Sequence, residues 1–130
     1  MLKKSFAAAL ITVALTSAAY ADCPNATAIT KQPDGSFIVT TPEGKFPVEV
    51  DPDNANQADV QNLLFTAVRL KEKDQATARA VCQYEDGKKP SLLGASLVWK
   101  SGKAITSSGS NWQGDDCATK NGNVKDCPFQ

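Results

Sequence analysis

The stretch that decides the fold is AVCQYEDG, residues 80–87. Ala80, Cys82 and Tyr84 recur at every second position, so in an extended chain they share one face of a β-strand. Asp86-Gly87 then combines a turn-forming aspartate with a glycine that tolerates positive φ. The segment is therefore predicted to be a strand that ends in a turn.

The same alternation of short strands and turns continues along the chain. Period-2 patterning recurs in residues 37–41 and 93–99, and Pro47 lacks the N–H that a paired strand needs, which places its strand at a sheet edge. The further turn signals are Pro33-Asp34-Gly35, Pro42-Glu43-Gly44, Ser101-Gly102 and Asn121-Gly122. Together they predict a mainly β fold, a small antiparallel sheet or barrel-like meander, with α+β as the alternative.

Residues 60–70 fit two patterns. As a helix, Val60, Leu63, Leu64, Ala67 and Val68 fall on one face, but Lys71 intrudes on it. As a strand, residues 64–70 are apolar on both faces and turn back into residues 77–84. We prefer the strand, with one helical turn near Gln57 to Gln61.

The N-terminus has the pattern of a bacterial signal helix. Lys3 and Lys4 precede an apolar run from Phe6 to Leu15, and Ala19-Tyr20-Ala21 supplies a cleavage site. The run is too short for a membrane span. We expect residues 1–21 to be removed, leaving residues 22–130 as one exported domain, periplasmic or secreted, with no membrane insertion after cleavage.

The amino-acid composition argues against several classes of ligand and catalytic mechanism. The chain has 14 basic and 14 acidic side chains, interspersed along its length, so there is no electrostatic case for nucleic acid or an anionic membrane. It has no histidine, which excludes imidazole-based catalysis. No cofactor is predicted.

The four cysteines are predicted to form two disulfides. No Cys-x-x-Cys pair is present, which argues against zinc and thioredoxin-like redox sites. A regular hairpin at Asn121-Gly122 puts Cys117 and Cys127 out of register, so the predicted pairs are Cys82–Cys117 and Cys23–Cys127. No metal site is predicted, because the oxygen-rich segment 51–59 departs from the EF-hand pattern at three positions and instead suggests turns and a helix cap.

Several short motifs, in this order, resemble a family of small exported bacterial proteins of unknown function. The motifs are Cys23-Pro24, Phe65-Thr66-Ala67, Cys82-Gln83-Tyr84, Asn111-Trp112, Cys117 and Asp126-Cys127-Pro128-Phe129. The resemblance implies a β-rich, disulfide-bonded fold and favours the strand interpretation of residues 65–70. It implies no activity and no catalytic residues, and the polar segment 51–62 departs from it.

The aromatic residues give the one candidate binding site. Trp99 lies on an alternating strand face and is assigned to the core. Trp112 is surrounded in sequence by Asn111, Gln113, Asp115 and Asp116, an apolar plate with polar neighbours that is typical of protein- or glycan-binding patches. The alternative is that Trp112 packs over a disulfide as a lid.

Three functions are therefore weighed. The first is an exported binding module that recognises a protein or glycan, of unknown identity, through loops around Trp112. The second is an inhibitor of a host or competitor enzyme, since a rigid loop loses little entropy on binding. The third is a small hydrolase using Asp115 or Asp116, because glycosidases need paired carboxylates.

Overall fold

The computed structural model describes residues 21–130, so the predicted signal peptide lies outside the described residues except for Ala21. Within residues 21–130, two short 3₁₀ helices, Ala26–Ala28 and Val124–Asp126, accompany one α-helix and eight strands. These are β1 (Ile29–Lys31), β2 (Phe37–Thr41), β3 (Gly44–Asp51), α1 (Gln57–Gln61), β4 (Leu64–Lys71), β5 (Arg79–Glu85), β6 (Gly94–Lys100), β7 (Trp112–Gln113) and β8 (Asp116–Ala118). Across residues 21–130, the helices are all too short or too polar to cross a membrane.

The eight strands form one open antiparallel sheet in the order β1-β2-β3-β6-β5-β4-β8-β7. This confirms the predicted mainly β, antiparallel fold with two disulfides. β5 pairs along its length with β4 on one side and β6 on the other. Its Ala80, Cys82 and Tyr84 are all buried on one face, as predicted. We call this the inner face of the sheet and the opposite one the outer face.

The strand interpretation of residues 64–70 is confirmed, and so is the helical turn before it. Asn56 caps α1, because its side-chain oxygen accepts from the Asp59 amide at 2.8 Å. The helix-like spacing has a physical cause: a bulge between Phe65 and Ala67 inserts a residue into β4. Phe65 and Val68 are consequently both buried although they lie three positions apart.

The edge position predicted for the strand of Pro47 is wrong. β3 lies inside the sheet, between β2 and β6. Pro47 pairs with Ile38 of β2, but pairing toward β6 begins only at Val48, opposite Leu97. The missing N–H is tolerated because it falls where the second ladder has not yet started.

The N-terminal segment covers the middle of the inner face. Cys23 is joined to Cys82 of β5, with 5.9 Å between the Cα atoms. The hydroxyl of Tyr84 donates to the carbonyl of Pro24 at 2.6 Å. Burial raises the pKa of the Tyr84 phenol, so it stays a protonated donor. The start of the domain is thereby fixed to the strand at the centre of the core.

The C-terminal segment covers the neighbouring part of the inner face. Phe129 is fully buried and packs edge-on against Trp99, with the ring centroids 5.2 Å apart. Trp99 is half-buried and packs against the core, as its alternation predicts. Ala21 and Phe129 exchange backbone hydrogen bonds of 2.6 and 2.9 Å. These bonds join the last residue of the predicted signal peptide to the C-terminal segment, so the predicted cleavage after Ala21 would remove them.

The predicted disulfide pairing is wrong. Cys23 pairs with Cys82, and Cys117 pairs with Cys127, with 5.8 Å between the Cα atoms of the second pair. The prediction assumed a regular hairpin at Asn121-Gly122, but the chain returns through the 3₁₀ helix Val124–Asp126. No strand register applies there, so Cys127 reaches Cys117 without a mismatch.

The two disulfides are expected to stabilise the domain unequally. In the loop-entropy model the Cys23–Cys82 link, with a sequence separation of 59, contributes roughly 4 kcal/mol, and the Cys117–Cys127 link, with a separation of 10, roughly 3 kcal/mol. Urea unfolding of the two double alanine variants should show the larger loss for Cys23→Ala/Cys82→Ala. A larger loss for Cys117→Ala/Cys127→Ala would contradict this account.

Candidate functional site

The predicted site residues lie together on the hairpin formed by β7 and β8. Trp112 is opposite Cys117, and Gln113 is opposite Asp116. Gly114 has a φ of 65°, which suits the tight turn between these short strands. The structure thus gathers the predicted residues on one element at the end of the sheet.

Trp112 points toward the inner face. It is half-buried against the core and lies cross-strand from Cys117, whose disulfide to Cys127 closes this region. The indole Nε1–H donates to the carbonyl of Pro128 at 2.9 Å. The Trp112 side chain therefore links the hairpin to the C-terminal segment, in agreement with the alternative that it is a lid.

The polar residues of the predicted patch are directed elsewhere or engaged in the fold. Because successive strand residues point to opposite faces, Gln113 and Trp112 do not share one. Asn111 donates from Nδ2 to the Asp126 carbonyl at 2.9 Å. These residues are close together in the sequence, but their side chains do not form a polar ring around the indole of Trp112. Their role in binding a ligand stays a prediction.

The two carboxylates proposed for hydrolysis each face a cation. Asp116 Oδ1 lies 2.6 Å from Arg69 Nε, and Asp115 Oδ1 lies 2.6 Å from Lys73 Nζ. Hydrogen bonding and then charge attraction raise the pKa of Arg69 and of Lys73. The four side chains are 41–58% exposed. Glycoside hydrolysis requires two carboxylates that face each other across the bond to be cleaved. Asp115 and Asp116 instead each form a separate ion pair near the edge of the sheet.

The structural role of Trp112 is testable. Trp112→Phe retains an aromatic ring but loses the hydrogen bond to Pro128, and should cost about 1 kcal/mol of unfolding free energy. Trp112→Ala also loses the packing and should cost about 2–3 kcal/mol. The exposed neighbour Gln113→Ala serves as the control in the same urea titration. If Trp112→Ala were as harmless as Gln113→Ala, the indole would be a free surface instead of a lid.

A second candidate, not identified from the sequence, is the loop between β5 and β6, residues 86–93. The Asp86 carboxylate accepts hydrogen bonds from the amides of Lys88, Leu92 and Leu93 and from the Ser91 hydroxyl, at 2.9–3.1 Å. One carboxylate thus fixes both limbs of the loop. The sequence indicated a turn at Asp86-Gly87. It did not indicate the hydrogen bonds of the Asp86 carboxylate, because the donors lie up to seven residues later and form no recognisable motif.

These contacts also stabilise the charged form of Asp86. The Lys88 amide has the largest effect, and together the donors hold the pKa of Asp86 below its ordinary value. The stabilisation is present above the carboxyl group's ordinary pKa. It is lost as the pH falls through the lowered value, because protonation removes the charge that the amides bind. At neutral pH the loop is therefore pre-organised.

The loop presents an apolar side chain to solvent. Leu92 is 67% exposed, whereas the adjacent Leu93 packs against the core. Leu64, the other large exposed apolar side chain within residues 21–130, is 55% exposed and opposes Glu85 at the same end of the sheet. We call the loop 86–93 with Leu92, together with Leu64 of β4, the leucine end.

A groove on the outer face borders the leucine end. Its volume is about 980 Å³, and Ser91, Leu92 and Leu93 line one side. Three acidic residues of the sheet, Glu49, Asp51 and Glu85, also line the groove, as does Asp53 of the turn after β3. In the described part of the chain, these groups do not form a cluster that could hold a metal ion.

Comparisons with known proteins add no function. No protein-family model, curated protein or solved structure matches the chain. The resemblance to a family of small exported bacterial proteins therefore stays a prediction.

Proposed function

We propose that the protein is an exported binding module that recognises another protein through its leucine end. One observation carries the proposal: the Asp86 carboxylate fixes the loop 86–93 while Leu92 projects 67% exposed from it. A single exposed leucine is ordinary on a protein surface. A leucine held outward by a loop whose Asp86 carboxylate accepts four hydrogen bonds is a pre-organised contact, because little conformational entropy remains to be lost on binding.

The surroundings of Leu92 support a protein partner. Leu64 adds a second exposed apolar side chain at the same sheet end, and the groove beside Leu92 has room for side chains of a partner. An apolar anchor next to charged groups matches the usual composition of an interface, with an apolar centre and a polar rim. The carboxylates of the groove favour a partner whose contact surface is cationic around an apolar pocket.

Export is supported by the two disulfides. Disulfides form and persist in oxidising compartments and are rare in the bacterial cytoplasm. The signal-like N-terminus points the same way. We therefore place the binding partner in the periplasm or outside the cell.

A rigid exposed loop also suits an enzyme inhibitor. An inhibitor's loop must enter a cleft without large loss of entropy, and the loop 86–93 is already ordered. The two functions share one surface and differ only in the partner: an inhibitor stops the turnover of the enzyme that it binds. The hydrolase alternative gains no support from the paired carboxylates of the hairpin.

The test begins with the oxidised mature domain, residues 22–130, immobilised and exposed to envelope extract and to extracts of host or competitor cells. A captured protein is then purified, and its affinity for the domain is measured by titration. Leu92→Asp should weaken binding at least about ten-fold with an unchanged melting temperature, because it places a charge in the apolar centre of the interface. Asp86→Asn should weaken binding while retaining Leu92, since the amide nitrogen cannot accept and the loop loses two of the four hydrogen bonds that Asp86 accepts.

Trp112→Phe is the control that separates the two candidate surfaces. The proposal expects it to leave affinity unchanged. Loss of binding with Trp112→Phe but not with Leu92→Asp would move the binding surface to the β7–β8 hairpin. Full affinity in Leu92→Asp would overturn the assignment of the leucine end. Turnover assays on a captured enzyme then decide between an inhibitor and a non-inhibitory module.

A further inference from the structure

Basic side chains from four strands lie at one level of the outer face. Lys71 of β4 is directly opposite Arg79 of β5, and Arg79 is directly opposite Lys100 of β6. In β3, Val48 is directly opposite Leu97 of β6. Because the two strands are antiparallel, Lys45, three residues before Val48, is level with Lys100, three residues after Leu97. We call these four residues, Lys45, Lys100, Arg79 and Lys71, the cationic row.

The cationic row is only partly neutralised. Like charges placed directly opposite each other destabilise a sheet, and the row contains two such pairs. Glu72 Oε2 lies 3.5 Å from Arg79 Nη1. The other ion pairs of residues 21–130 do not involve the three lysines of the row. Nearby Arg69, by contrast, has its own aspartate.

The fold sorts charges that the sequence intersperses. Acidic Glu49, Asp51 and Glu85 lie toward the opposite ends of β3 and β5, on the same outer face. Adjacent strands run in opposite directions, yet β3 to β6 each have a base at the same end of the sheet. A chain with 14 basic and 14 acidic side chains thus presents a locally cationic surface.

We propose that the cationic row binds a linear acidic polysaccharide. The proposal is independent of the leucine end, which lies at the other end of the sheet. Paired neighbouring strands are about 4.8 Å apart, so Lys71, Arg79 and Lys100 offer charges at short, regular intervals across β4, β5 and β6. Lys45 extends the row beyond the paired part of β3 and β6. Lysine ammonium groups on flexible stems bind anions as point charges, which suits carboxylates repeated along a sugar chain.

The position of the row argues against other polyanions and amphiphiles. Its strands β3, β6, β5 and β4 are the four central ones, so the row does not lie on an edge strand to which a peptide strand could be added. Val81 and Val98 beside it are half-buried and offer little apolar surface for insertion into a membrane. The aromatic rings of residues 21–130 are buried or packed against the core, so none forms a stacking platform for single-stranded nucleic acid.

Titration calorimetry of the oxidised mature domain with polygalacturonate at low salt tests the proposal, with neutral dextran as the blank. We expect binding that weakens as salt is added, as for other polyanions. Lys71→Gln/Lys100→Gln should weaken it about ten-fold, because two of four charges are removed. The matched control, Lys89→Gln/Lys120→Gln, removes the same net charge from exposed positions outside the row and should change affinity less than about two-fold.

Melting temperatures of both double variants show that the fold is intact, since removing like-charge contacts from the row should not destabilise it. The proposal is overturned if the wild-type domain does not bind polygalacturonate at low salt. Equal weakening by the two variants would also overturn it, because net charge alone would then explain binding. Tighter binding of poly-L-glutamate than of polygalacturonate would assign the row to an acidic polypeptide instead.

Discussion

The link between Cys23 and Cys82 is the constraint on which the rest of the structure depends. It fixes the start of the domain to the middle of β5, where the Tyr84 hydroxyl adds a hydrogen bond to the Pro24 carbonyl. The segment cannot leave the inner face without breaking the bond or exposing the centre of the core. A domain of this size buries a modest core, so covering the inner face with its own chain ends is a large part of its stability.

The covered inner face determines which surfaces are left for function. Phe129 and Trp112 complete the cover from the C-terminal side, which is why the indole of Trp112 is engaged within the fold. The outer face and the loops at the sheet ends stay open. They differ in chemistry: the leucine end joins apolar anchors to carboxylates, whereas the cationic row has charge without an apolar anchor. One small sheet thus presents two surfaces of different chemistry.

Local sequence patterns predicted local structure well. Alternation located β5 and β6, and Asn56 capped the expected helical turn. The pairing of the cysteines failed because it assumed a strand register where the chain forms a 3₁₀ helix. The cationic row and the Asp86 loop were invisible for a related reason: each depends on residues that only the strand register or the loop's path brings together. Patterns within one segment are encoded locally, whereas contacts between segments are not.

The most direct test of this account is disulfide mapping of the unreduced, oxidised domain by proteolysis and mass spectrometry. The account predicts one cross-linked peptide pair containing Cys23 and Cys82 and a second containing Cys117 and Cys127. Peptides that join Cys82 to Cys117 and Cys23 to Cys127 would contradict it, because the N-terminal segment would then not be anchored to β5.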